Sequence, residues 1–500
     1  MAEYLSPGIY VEEFESDIIP IVGVSTSITG FIGLTERGPV GGLPVLVTGW
    51  SDFTRIFGGF LDENRFGDYR FLPHCVRSYF ANGGNCCYIA RVVPKNAQPA
   101  FGLVQRGEVL FKLTASNPGA WGNEVIVSFI PLTQGKFNVK IICPGMTETY
   151  TGVLFQLGHD DYIVNQLAKS ALINIDVQAG DGNEAFPRLL IGEIEDDTCE
   201  LALMGGSDGL DDVIDGSIFI GDDGGVGNPT GLQAFLDNEE VSIMATPGIT
   251  DEKVQLKLIA HCENLGNRFA VLDLPKEKNG LADLMTHRGM VDSSYAAFYH
   301  PWLQVFDPGT KRNIFIPPSG AVAGIYARVD QIQGVHKAPS NEDVLDCLDL
   351  QYKYGVGEQD ILNSKGINLI RWFPGRGILV WGGRTCAADR QWRYVNERRL
   401  FIFLEESIKR STNWVIFEAN DQNLWTRIKH SVENFLTQMW EVGALMGASP
   451  EEAFFVRVDE STMNPNDMAD GRLICVIGVA ISQPSEFVIF KITQKIGKQS

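Results

Sequence analysis

A few clusters in this 500-residue chain carry side chains that could do chemistry. Gly225-Val226-Gly227-Asn228-Pro229-Thr230 begins like a dinucleotide fingerprint, whose glycines let the backbone close on a pyrophosphate at a helix N-terminus. Thr230 stands where the third glycine belongs and Asn228-Pro229 spoils the helix start, so nucleotide binding is not expected. Asp208, Asp211, Asp212 and Asp215, followed by Gly216, bring enough carboxylates together for a calcium ion. They lack the alternate spacing and closing glutamate of an EF-hand loop, so a solvated surface loop is the simpler reading. Cys86-Cys87 and His261-Cys262 offer zinc-type ligands, but no second pair completes a tetrahedral site at a recognisable spacing. Buried thiols are expected there. The chain contains no G-x-x-x-x-G-K-[ST] phosphate loop, no H-E-x-x-H zinc helix and no G-x-S-x-G nucleophile elbow. Seven histidines leave few general bases. No catalytic residue, cofactor or metal is therefore expected, and an enzyme built on an α/β unit is the weaker class.

Positioning elements follow from length and pattern. Five hundred residues suggest about three domains. Hydrophobic residues at 44% and charged residues at 21% describe a globular chain and exclude global disorder. A net charge of −21 argues against a generic nucleic-acid binder. The charge is uneven: residues 365–500 hold 17 Lys and Arg against 15 Asp and Glu, leaving 24 against 47 in residues 1–364. Two surfaces with different neighbours would produce that split, as would chance patterning of solvated faces. No apolar run is long enough to span a bilayer. The opening MAEYLSPGIYVEEF carries acids without a basic region and an apolar core, so it is not read as a secretory signal. Nine scattered cysteines suggest free thiols in a reducing compartment.

The expected fold class is mixed α/β and multidomain. Residues 1–20 read as an extended arm. Residues 21–95 and 236–364 form a discontinuous α/β core, with strands at 27–34 and 44–48, a helix at 71–82, a turn followed by a strand over 82–91, and a βαβ unit at 240–274 whose helix Asp251 can cap. Residues 96–235 switch to short alternating runs between Gly, Asn and Pro, the pattern of a β-rich insertion. A Pro- and Gly-rich segment at 317–324 precedes a helix at 344–350. Residues 365–500 form an α+β C-terminal domain: strands at 366–372 and 377–381, a helix at 392–409, and a long helix at 421–446. In that helix Leu424, Ile428, Val432, Phe435, Met439 and Val442 recur at helical spacing. Strands at 454–458, 473–481 and 487–493 follow, the last two as an antiparallel pair.

Both ends of the chain are thus strand-like. A lone N-terminal strand needs a sheet edge, which the C-terminal pair offers. An arm completing the sheet of the next copy makes a heterologous contact that builds stacked rings or an open filament. An arm pairing within its own chain satisfies the same pattern, and the residues leave both open.

The sequence resembles contractile tail sheath proteins. The resemblance is carried by MAEYLSPGIYVEEF at the start, GVSTSITGFIGLTERGP at 23–39, YAAFYHPWLQVFDPGTKRNIFIPPSGAVAGIYARVD at 295–330 and HKAP at 336–339. It continues through VWGGRT (380–385), YVNERRLFIFLEESI (394–408), FEANDQNLW (417–425), GALMG (443–447), EAFFVRVD (452–459) and EFVIFKITQ (486–494). It covers the chain except much of 96–235. It implies a structural subunit of a phage tail, R-type bacteriocin or phage-tail-like injection system. Such a subunit is made in the cytoplasm and forms a helical array of hexameric rings around an inner tube protein, with baseplate and terminator partners. It neither binds nucleic acid directly nor inserts in a membrane. The resemblance implies swapped arms at 2–15 and 486–494, carried by Tyr4, Pro7, Gly8, Ile9, Tyr10, Val11, Phe14, Phe487, Val488, Ile489, Phe490, Lys491 and Ile492. It makes 96–235 an outward insertion and 365–500 the inner domain. Contraction would be rigid-body reorientation from a metastable state, needing no fuel hydrolysis. On this reading the polar side of the long helix faces the tube through Thr426, Arg427, Lys429, His430, Glu433 and Trp440. A non-contractile assembly protein is the alternative.

Overall fold

A computed structural model describes residues 19–106, 109–178, 191–193, 198–210, 214–225 and 227–486. It divides into two compact units, Ser25–Arg398 and the combination of Met1–Val24 with Arg399–Ser500.

The larger unit is organised by strands that are apolar on both faces, the pattern of a parallel sheet covered on both sides. Thr29–Gly33, Phe269–Asp273 and Ala296–His300 are buried at every position. They lie in a nine-stranded sheet, whose parallel centre runs Ile367–Phe373, Ala296–His300, Phe269–Asp273, Ile243–Ala245, Thr29–Gly33, Cys87–Arg91. Antiparallel strands finish both edges: Val45–Val47 on one side, Gly377–Val380 and then Glu342–Asp343 on the other. Alternation along each strand sends neighbours to opposite faces. Ile32, Met244, Ala270 and Phe298 meet the helix Glu252–Leu265 through Val254, Leu258 and Cys262. Phe31 meets Tyr79 edge-on at 5.5 Å, and Tyr299 and Tyr326 join hydroxyls at 2.7 Å on the opposite face. The expected cap is present: Asp251 accepts from the amides of Lys253 and Val254, and Gly266 closes the helix at φ 70.

The Pro- and Gly-rich segment 317–324 holds the start of a helix, Ser319–Ile332, with Pro318 at its N-cap. The glycines are packing positions. A Cβ on Gly320 would lie 2.6 Å from Cys75 Cβ on the facing helix Leu72–Ala81, and one on Gly324 would lie 2.9 Å from Cβ of Asn82, that helix's C-cap. The helix start is held by buried Asp273, which accepts from Ser319 N (2.9 Å), Ser319 Oγ (2.7 Å) and Gly248 N (3.0 Å). Burial pushes its carboxyl up to about 6 despite those donors. Conversely, 344–350 is not a helix. Asp346 turns the chain at φ 55, and Asp349–Leu350 pairs with Leu303–Asp307 in a small three-stranded sheet.

The β-rich stretch among the described residues is narrower than 96–235. Its eight strands form two four-stranded sheets between Phe101 and Ala202, around a core of its own that includes Phe111, Trp121, Phe129, Phe137 and Val139. The chain enters and leaves side by side, because Gln98 and Ser207 exchange both backbone hydrogen bonds at 2.9 Å. Beyond Ser207, Phe219, Leu232 and Phe235 pack into the core of the large sheet. The expected boundary at 364/365 moves as well. Ile367–Phe373 and Gly377–Val380 are strands of the large sheet, and the units divide at Arg398 and Arg399, inside the helix Val395–Ser411. Among the described residues no helix is long and apolar enough to cross a membrane.

Candidate assembly site

Several of the side chains that could do chemistry have other partners. Asp208 accepts from Ala120 N at 2.9 Å and pairs with Arg65, while Asp215 caps Ser217 N. Asp211 and Asp212 lie outside the described residues. His261 shares a buried contact of 3.2 Å with Arg268, and burial with that cation pushes it down to about 4. Cys87 is buried, which pushes its thiol well up. All nine cysteines are unpaired. The Gly225–Thr230 stretch closes back on itself, with Thr230 N bonded to Asp222 O.

The smaller unit holds both chain ends. Its frame is the helix Gln422–Glu441, started by Asp421, which accepts from Leu424 N at 2.9 Å. Leu424, Trp425, Ile428, Val432, Phe435 and Leu436 are buried. The expected apolar stripe ends early. Met439 is half-buried, and Val442 lies past the last turn at 60% exposed, just before Gly443 reverses the chain at φ 80.

Phe454–Arg457 pairs antiparallel with Val476–Val479, Phe454 opposite Val479 and Arg457 opposite Val476. The expected partner of this strand, 487–493, lies outside the described residues. The pairing continues: Ala480 N donates to Ala453 O, Met446 N to Ala480 O, and Ser482 N to Ala444 O. Backbone groups alternate sides along a strand. Gly478, Ala480 and Ser482 therefore face these partners. Ile477, Val479 and Ile481 turn their amides and carbonyls to the outer edge, where the described residues place no further strand. Beside it, burial pushes the Cys475 thiol up to about 11. The period-two run of VIGVAI signals a strand, but which edge stays open depends on the pairing with 454–457, which spacing does not reveal.

The six residues expected to face a tube separate into groups. Thr426, Lys429 and His430 are exposed on one side of the helix, with Glu433 half-buried between the last two, 3.8 Å from Lys429 and 3.7 Å from His430. Such exposed pairs are worth about 0–1 kcal/mol and can exchange partners. Arg427 lies about 100° further round the helix, its guanidinium 4.5 Å above the Trp414 ring. Trp440 sits at the far end and donates its indole N–H to Gly447 O at 3.0 Å. Missed entirely is Phe417, fully exposed at φ 71 just ahead of the helix; nothing in its spacing marks it. The arm residues Tyr4, Pro7, Gly8, Ile9, Tyr10, Val11, Phe14, Phe487, Val488, Ile489, Phe490, Lys491 and Ile492 lie outside the described residues.

Comparison with known proteins adds the following. Residues 224–386 match the family described as phage tail sheath protein central domain, and residues 387–495 match the phage tail sheath C-terminal domain. Together the two matches span more than half of the chain. A putative prophage major tail sheath protein of Pseudomonas aeruginosa is 22% identical over 287 residues, covering 55% of this chain and 72% of that protein. The tail sheath protein of Salmonella phage ViI is 24% identical over 249 residues, 44% of this chain but only 38% of that protein's length. Among solved structures, the sheath complex of an extracellular contractile injection system in its contracted state aligns over 99% of both chains. Its TM-score is 0.60 at 22% identity. The sheath tail protein Lin1278 from Listeria innocua aligns over 93% of this chain and 96% of its own, with a TM-score of 0.61 at 12% identity.

Proposed function

Since this chain belongs to the phage tail sheath protein family, we propose that it is the subunit of a contractile sheath: copies polymerise as stacked hexameric rings around an inner tube and contract by turning as rigid bodies. The observation that supports this reading is the edge at Ile477, Val479 and Ile481, on which no described strand lies. An extended arm from a neighbouring copy can add to that edge through backbone hydrogen bonds. Such pairing tolerates large reorientation of the bodies it links, because the joint is a chain segment and not a packed face. The chain is proposed to be made in the cytoplasm and to end up in a phage tail or tail-like particle, with baseplate and terminator proteins at the ends of the array.

Electron microscopy of the purified chain, alone and with its tube protein, tests this. Hollow cylinders with a regular axial repeat are the expected result. Small uniform particles in both samples at high concentration would sink the proposal.

The exposed side of Gln422–Glu441 is proposed to face the tube. Its contact would be weak, polar and shared among Thr426, Lys429, His430 and Glu433, which suits a sheath that must slide free. Reversing Lys429 to Glu places two acids four residues apart on that face. The expected outcome is sheath that still forms cylinders but traps its tube at least tenfold less often in co-assembly counts. Normal tube occupancy would exclude this face.

A further inference from the structure

Residues 21–24 do not trail away from the smaller unit; they run along one face of the helix Val395–Ser411. Val24 N donates to Ser407 Oγ at 3.1 Å, and Val22 N donates to Ser411 Oγ at 3.0 Å. Ser411 Oγ donates back to the Val22 carbonyl at 3.5 Å. The spacings match. Serines four apart stack on one helix face about 6 Å from each other. Amides two apart in an extended chain point the same way and lie about 6.6 Å apart. The segment is therefore held antiparallel to the helix in a defined register. Gly23 permits the close approach, since a Cβ there would lie 2.9 Å from the Phe403 ring. Serine inside a helix ordinarily bonds its own preceding turn. Here both hydroxyls take amides from a segment almost 400 positions away in the chain.

We propose that Ser407 and Ser411 clasp the root of the N-terminal arm and fix the point at which it leaves the body. They are positioning residues. The proposal rests on the reading that residues 2–15 pair with a neighbouring copy. With the root fixed near Ile21, the five residues between 15 and 21 reach at most ~18 Å, so only subunits at a set distance can be engaged. A loose root would spread the same arm over a larger volume and lower its effective concentration at the acceptor edge. The clasp also keeps the body end of the joint constant while the bodies turn.

The test uses the full-length chain. Hydrogen exchange, below the concentration at which cylinders form, reads the amides of Val22 and Val24. They are expected to exchange at least tenfold more slowly than in the Ser407→Ala/Ser411→Ala variant. That variant should need about tenfold more protein to form cylinders, the effect of losing two ordinary hydrogen bonds. Val22→Pro removes a donor at a 70% exposed position without touching the helix, and should act in the same direction. Ser411→Thr keeps the hydroxyl and should restore wild-type assembly. Helix content and melting temperature serve as folding controls; if the double variant melts early, Val22→Pro decides. Equal exchange rates in wild type and double variant would overturn the clasp, as would cylinders at the wild-type concentration in both variants. If removal of residues 1–15 leaves polymerisation unchanged, the arm-swapping reading falls instead, and slow exchange at Val22 and Val24 still stands as evidence of the contact.

Discussion

Removal of residues 1–15 is expected to leave a folded body that no longer forms cylinders, and removal of residues 486–500 to do the same. A strand added to a sheet edge contributes one backbone hydrogen bond or so per residue, each worth about 0.5–1.5 kcal/mol net. Five residues in register then supply roughly 3–5 kcal/mol for each contact, and about 1.4 kcal/mol corresponds to a tenfold change in concentration. The critical concentration is accordingly expected to rise at least a hundredfold. The larger unit should stay folded, because its two cores draw their buried residues only from Ile32 to Cys386. Sedimentation across a concentration series, with circular dichroism on the same samples, separates lost assembly from lost folding. Truncated chains that polymerise at the wild-type concentration would disprove arm exchange.

The second large effect is expected inside the larger unit. Gly320→Ala and Gly324→Ala place methyl groups against the backbone of Leu72–Ala81, within van der Waals contact of the Cys75 and Tyr79 carbonyls. Those atoms belong to a packed helix and cannot step aside as a side-chain tip would. Each substitution is expected to cost about 3 kcal/mol. A control of opposite sign lies in Val356–Ser364: a Cβ on Gly357 meets nothing within 4 Å. Gly357→Ala should therefore raise stability by up to ~1 kcal/mol, through helix propensity alone. Urea melts of the three variants check this. Equal midpoints for Gly320→Ala and Gly357→Ala would mean that the helices do not approach as closely as described.

These glycines also show where sequence reading stops. The strands Thr29–Gly33, Ile243–Ala245 and Phe269–Asp273 and the cap at Asp251 announce themselves through local pattern, and the structure places them within a residue or two. In the sequence Gly320 and Gly324 mark only a Pro- and Gly-rich segment, because propensity is a local quantity. Their use is settled by a helix some 245 positions earlier. The apolar residues at 344–350 imitate a helix for the same reason, until Asp346 and the pairing at Asp349–Leu350 intervene. At the assembly site, the long helix and its buried stripe are legible from period alone. The division of its polar side is not. Trp414, which takes up Arg427, and Gly447, which takes up Trp440, stand off the helix and follow no spacing rule. The open edge is likewise a property of pairing, since the same run of residues would be covered if its partner lay on the other side.

The paired ends at Gln98 and Ser207 bear on how such a chain changes over generations. A hydrogen-bonded antiparallel pair holds its Cα atoms about 5.5 Å apart, a gap a tight hairpin turn also spans. The residues between them carry their own core. Insertion, loss or exchange of that stretch therefore asks for no new solution from the nine-stranded sheet. In evolutionary terms the position is a socket. What is plugged in can drift in size and surface to suit a host or a habitat, while selection on the rest of the chain continues undisturbed.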